Sequence, residues 1–150
     1  MKDTPLTRLS ALGQSVWLDY IRRGLITSGE LKRMIEEDGL RGMTSNPTIF
    51  EKAIGGTHEY DTDIEALARQ GKNVNEIYES LSQQDIRAAA DQFRSVYDQT
   101  DGRDGYVSLE VNPHLAHDTE GTIAEARRLW TAVNRPNIFI KVPGTKEGLP

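Results

Sequence analysis

Cysteine is absent from the 150 residues, which removes disulfides, thiolate nucleophiles and cysteine-ligated metals together. Stability must come from packing, and a reducing, cytoplasmic location is the expectation that fits. Long apolar runs are missing as well, so neither a signal-peptide core nor a membrane span is expected. A basic excess is also missing: 18 Lys and Arg stand against 23 Asp and Glu, for a net charge of −5, which argues against a nucleic-acid partner. No Gly-x-Gly-x-x-Gly or Walker-type loop occurs, so nothing supports a nucleotide cofactor; the expectation that no cofactor of any kind is needed rests on the lysine chemistry described below. No repeat, low-complexity tract or Pro/Ser-rich linker divides the chain, which leaves one domain as the default.

What is present is an ordinary globular composition, 37% hydrophobic and 27% charged, arranged as alternating strand and helix signals. Four short apolar runs read as strands: Ser15 to Leu18 continuing through Tyr20 and Ile21, Leu40 to Met43, Tyr106 to Val111, and Ile138 to Val142. Between the first two, Ser28 stands as a capping residue ahead of LKRMIEED, with Gly39 at the helix end. Residues 47–98 carry three- and four-spaced apolar positions enough for two or three helices. Thr119 to Val133 reads as a helix carrying Ile123, Ala126, Arg127 and Trp130, ended by Asn134 and Pro136. A β-α-β-α-β-α-β order implies a parallel α/β sheet with helical crossovers and functional groups at the strand C-terminal ends. Length alone favours an open doubly wound sheet over part of an eight-stranded barrel, which takes roughly 250 residues when complete.

Each strand carries a polar residue inside it or just after it: Asp19 in VWLDYI, Thr44 and Asn46 after LRGM, Glu110 in YVSLEV, and Lys141 in IFIKVPGTKEG. One of these would suit a solvated edge strand, but four at matching places suit a strand-end pocket. A lysine there has a natural chemistry, the attack of its free amine on a carbonyl to form a Schiff base. Ile138, Phe139, Ile140 and Val142 are the apolar surroundings expected to favour the free amine, while Asp19 and Glu110 would favour the ammonium; the sequence does not sign the balance. Lys146 follows Pro143 and Gly144 and is expected in a loop. His114, His117 and Asp118 mimic part of a metal site but lack a third clear ligand, so a surface loop is expected and no metal.

The stretches WLDYIRRG, GMTSNPTIF, SLEVNPHLAHDT and NIFIKVPGTKEG resemble, in order and spacing, the first four strand ends of transaldolases, most closely the bacterial branch with KVPGT after the strand. That resemblance implies a class I aldolase (β/α)8 TIM barrel of which residues 1–150 form about the first four β/α units, and it reverses the length-based choice. It implies transfer of a dihydroxyacetone unit between sugar phosphates in the pentose phosphate pathway. Lys141 would then be the Schiff-base nucleophile, Asp19 the base that takes the C4 hydroxyl proton, and Glu110 the carboxylate that moves protons through a water. Asn46 would bond substrate hydroxyls, and Thr44 would line the same strand end. The family's phosphate-binding Ser and Arg, a water-holding Thr and a second Asn would lie beyond Pro150.

Two other readings stay open. One is a simple aldolase on the same barrel, and the other is a non-catalytic half-barrel. Its exposed sheet edges would associate with themselves or with a missing C-terminal half. The isolated chain is expected to show little or no turnover.

Overall fold

The computed structural model describes residues 3–150. Its centre is a four-stranded parallel sheet of β1 (Trp17–Asp19), β2 (Gly42–Thr44), β3 (Tyr106–Glu110) and β4 (Ile138–Lys141), in the spatial order β1-β2-β3-β4. β1, β3 and β4 lie within the expected runs, while β2 starts two residues later than its run and passes it by one, to Thr44; β1 and β2 are only three residues each. The run around Asp19 ends at that residue, and Ile21 is buried in the core beyond it.

Strand order in space equals strand order in sequence, and this decides the architecture. An open doubly wound sheet reverses direction at a switch point and so covers both faces with helices. Right-handed crossovers that always step the same way place every helix on one face, as a closed barrel requires. Burial agrees: Met43, Val107, Leu109 and Ile138 join one core cluster with helix residues Leu25, Ile35, Phe93 and Leu129. On the opposite face Phe139 remains 47% exposed. The open sheet that length favours is thereby excluded.

The helices are α1 (Pro5–Ala11), α2 (Arg23–Thr27), α3 (Glu30–Arg33), α4 (Pro47–Gly55), α5 (Asp61–Arg69), α6 (Val74–Gln99) and α7 (Thr119–Val133). Between β1 and β2 the chain forms two short helices instead of one. Ser28 is the C-cap of α2 and Gly29, with a φ of 84°, the N-cap of α3, while the Ser28 hydroxyl still accepts from Glu30 N–H at 3.3 Å. α3 then widens into a π-helical turn, Met34–Asp38, which ends at Gly39 with φ 76°. Three helices fill residues 47–99. The longest, α6, starts with a reciprocal cap in which the Asn73 side chain accepts from Glu76 N–H and the Glu76 side chain accepts from Asn73 N–H. α7 has the expected bounds; Thr122, Leu129 and Val133 are buried, Ala126 packs against the core beside them, and Trp130 is 47% exposed.

A charged anchor ties α2 to α5 and α6. Buried Asp85 accepts from Tyr60 Oη at 2.7 Å and from Arg23 Nε at 2.9 Å, and Arg23 also pairs with Asp63. Burial pushes the Asp85 carboxyl above its ordinary pKa, against the opposing pull of Tyr60 and Arg23. The arrangement has no apolar substitute that keeps both partners satisfied, so removing Asp85 alone would leave Arg23 with a desolvated charge only partly compensated.

The barrel-side face is layered by the alternation of the strands. Trp17, Gly42, Tyr106 and Phe139 form its lower layer. Tyr106 stacks on Phe139 with centroids 4.0 Å apart, and Trp17 lies parallel to Phe139 at 6.2 Å. Trp17 can lean across β2 only because position 42 is glycine: a Cβ there would stand 2.3 Å from the indole. Above this aromatic floor lie Asp19, Thr44, Ser108, Glu110 and Lys141.

Candidate active site

Lys141 closes β4 and Glu110 closes β3, and the parallel register pairs the two residues directly. Glu110 Oε2 lies 3.2 Å from Lys141 Nζ. The ammonium also donates to Ser45 C=O at 2.8 Å and reaches Thr44 Oγ1 at 3.4 Å. Thr44 is held in turn by the Ser108 hydroxyl at 2.8 Å. Ser45 is fully buried and donates its hydroxyl to Ser108 C=O at 2.7 Å, so the β2 and β3 ends are stitched together beneath the lysine.

The surroundings of Lys141 differ from the apolar sheath expected. Successive side chains on a strand point to opposite faces, so Ile138 and Ile140 turn toward the helices while Lys141 shares its face with Phe139. The Lys141 side chain is 39% exposed and its neighbours are polar. Val142 is exposed at 45% and shields nothing. For Lys141 to act as a nucleophile, its proton must first leave, and Glu110 is the acceptor within reach.

Asp19 ends β1 opposite Thr44 in register. It does not touch Lys141 among the described contacts, but both line one open cleft of about 680 Å³ with Asn46, Pro47, Thr48, Ile49, Lys52, Glu110 and Pro113. Asn46 is the N-cap of α4: its Oδ1 accepts from Ile49 N–H at 2.9 Å, with Pro47 at the first helical position. That cap fixes the side chain at the cleft wall.

The five sequence-derived site residues, Lys141, Asp19, Glu110, Asn46 and Thr44, therefore gather at one end of the sheet. Lys146 lies outside, in a 3-10 turn (Lys146–Gly148), and is exposed. His114 and His117 are exposed in and beside another such turn, with His117 Nδ1 3.2 Å from Glu147. No group of three metal-binding side chains occurs among the described residues.

Three neighbours escaped the sequence reading. Ser108 could have been found from alternation in YVSLE, where it shares the face of Glu110. Tyr78 could not, since it approaches from α6; it lines a second cavity, of about 280 Å³, with Glu110 and Asn112. Burial, helped by the Glu110 charge, pushes the Tyr78 hydroxyl above its ordinary pKa. Lys52, in the middle of α4, is the third.

Comparison with known proteins agrees with this layout. The model of the family described as transaldolase/fructose-6-phosphate aldolase matches residues 16–150. The chain belongs to that family. The transaldolase of Trichodesmium erythraeum is 57% identical over 97% of this chain and 38% of its own length. Transaldolase 2 of Nostoc punctiforme is 53% identical over the whole chain and 39% of its own length, and the transaldolase of Acidothermus cellulolyticus is 53% identical over 97% and 39%. The chain thus spans about two fifths of the length of the curated relatives it matches. Family membership brings the (β/α)8 barrel as the fold to which these four consecutive parallel strands belong. Among the described residues no helix is long and apolar enough to cross a membrane.

Proposed function

We propose that residues 1–150 form the N-terminal half of a transaldolase barrel and carry its Schiff-base machinery. The observation that carries this reading is the Lys141–Glu110 contact of 3.2 Å at adjacent strand ends, in a cleft shared with Asp19 and Asn46. Lys141 Nζ, once it has lost a proton, attacks the C2 carbonyl carbon of a ketose phosphate. The carbinolamine hydroxyl takes a proton relayed from Glu110 and leaves as water, giving an iminium. Asp19 accepts the C4 hydroxyl proton as the C3–C4 bond breaks. The C4 fragment departs as an aldose phosphate, and the bonding pair moves into the iminium to give an enamine. Reversal of these steps on a second aldose completes the transfer of the three-carbon unit. Asn46 holds substrate hydroxyls, Thr44 lines the same strand end, and the lysine itself supplies the electrophile, so the chemistry calls for no cofactor.

Borohydride with fructose 6-phosphate, applied to the assembled barrel, should trap a stable amine on Lys141. Peptide mapping that places the adduct on Lys146, or finds none, ends the assignment. The family's double description also favours a second reading, fructose 6-phosphate aldolase chemistry, in which the three-carbon unit is released. Product analysis with and without an aldose phosphate acceptor separates the two.

The exposed aromatic floor and the free edges of β1 and β4 support pairing with a complementary C-terminal half, or self-association in its absence. Purified residues 1–150 should therefore run larger than a monomer in sizing experiments and turn over fructose 6-phosphate and erythrose 4-phosphate weakly or not at all. A cytoplasmic location belongs to the same reading, supported by the absence of cysteine.

A further inference from the structure

We propose that Thr145 and Thr119 are positioning residues that hold the end of β4, and with it Lys141, against Glu110 at the end of β3. Their part in the reaction rests on the Schiff-base reading of Lys141; their hold on the strand ends rests on geometry alone. The register of the two strands stops at Glu110 and Lys141, where Val111 N–H donates to Lys141 C=O at 3.1 Å. The ion pair is a weak fastener for that junction. Its lysine and glutamate side chains are 39% and 26% exposed, and a pair so open to water contributes under about 1 kcal/mol.

A second fastening lies further out along both chains. Past Lys141, the Thr145 hydroxyl donates to Ala116 C=O in the segment that follows Glu110. Thr119 returns a bond, its hydroxyl donating to Glu147 C=O at 2.6 Å. The contact of His117 with Glu147 adds little, since the histidine side chain is 81% exposed. Each half of this clasp is stiff. On the β4 side Thr145 also accepts from Gly148 N–H at 3.2 Å, and the turn folds back so closely that Gly148 has no room for a Cβ beside Pro143 C=O. On the β3 side the buried Thr122 of α7 donates to Leu115 C=O at 2.9 Å, and Asp118 caps the same helix. The two segments therefore close a ring that has Glu110 and Lys141 at its base and α7 as its anchor. Neither threonine lines the cleft, so both act through Lys141 and not on a ligand.

The test compares Thr145→Val, Thr145→Ser and Thr119→Val in the assembled barrel. Opening the clasp misplaces the amine, and small misplacements of a reacting group cost roughly 10–10²-fold in rate. Thr145→Val should therefore slow both kcat and the borohydride-trapped Lys141 adduct from fructose 6-phosphate by about tenfold or more, with KM within about twofold. Thr145→Ser, which keeps the hydroxyl, should stay near the parent rate. Thr119→Val should shift the same quantities in the same direction, and it decides the matter if Thr145→Val does not fold. Hydrogen exchange at Val111 N–H should quicken in both valine variants, because that amide spans the two strand ends. Parental adduct rates in the valine variants, with or without a lower urea midpoint, overturn the proposal, as does a Thr145→Ser variant as slow as Thr145→Val. If the parent itself yields no Lys141 adduct, the Schiff-base reading falls. Val111 exchange then judges the clasp: faster exchange in the valine variants keeps it, and unchanged exchange removes it.

Discussion

On its helix-covered face the sheet buries Met43, Val107 and Ile138 at 0% exposure, whereas its barrel face leaves Phe139 at 47% and the Lys141 side chain at 39%. The first face is closed by elements of the same 150 residues; the second carries every candidate catalytic group. Adjacent residues on one strand thus answer to different demands, Ile138 to packing and Phe139 to whatever completes the barrel. Stability and chemistry are separated by strand alternation, so a substitution on one face should leave the property of the other face largely intact.

The strongest challenge to that separation is Lys141→Met. In the assembled barrel it should remove the borohydride adduct and cut turnover by roughly 10⁴-fold or more, while urea midpoints stay near those of the parent. A collapse in stability would mean that the lysine also holds the strand ends together through Ser45 and Thr44. Asp19→Asn comes next: it preserves shape and removes the base, so cleavage should slow by about 10²–10⁴-fold with the Lys141 adduct still formed. Loss of the adduct would place Asp19 before, not at, bond cleavage.

Ile138→Ala and Phe139→Ala test the comparison on neighbouring residues. In residues 1–150 the first should cost about 2–4 kcal/mol by denaturant titration. The second should cost about 1 kcal/mol, chiefly the loss of its stacking on Tyr106. In the assembled barrel the two costs should converge, because Phe139 then becomes interior. Equal costs in the short chain would break the distinction between the faces.

The smallest effect concerns the surface clasp between α6 and α7, where Arg128 bonds Glu79 at 2.6 and 2.8 Å. The hydrogen bonds from Arg128 hold the Glu79 carboxyl below its ordinary pKa, outweighing burial. A depressed folded-state pKa stabilises above the ordinary glutamate value and loses that contribution as pH falls through the lowered one. Glu79→Gln should therefore cost under about 1 kcal/mol near neutrality, since both side chains are more than a third exposed. The gap to the parent should narrow steadily below pH ~4.5. A gap that widens on acidification would reverse the sign assigned here.

Strand order, the ends of α7, and the gathering of Asp19, Thr44, Asn46, Glu110 and Lys141 were legible in the residues because they depend on local rules: alternation, capping, and polar groups at strand ends; α1 and α2, short and without such a signal, were not. The same rules did not settle which positions of α7 are buried. Three- and four-spacing admits more than one apolar stripe on a helix, and only packing against α6 and β4 selected Leu129 and Val133 over Trp130. They also misjudged the surroundings of Lys141, since four apolar neighbours in sequence do not sheathe a side chain when alternate ones point away. What the sequence determined by itself was which polar residues lie in or just after each strand and hence which chemistry the sheet can carry. What only the tertiary structure decided was how far apart those residues stand and what faces them: the uniform strand order that puts all helices on one side, the Ser45 carbonyl beneath Lys141, and the approach of Tyr78 from a helix distant in sequence. Those are long-range arrangements, fixed by which surfaces exclude water together.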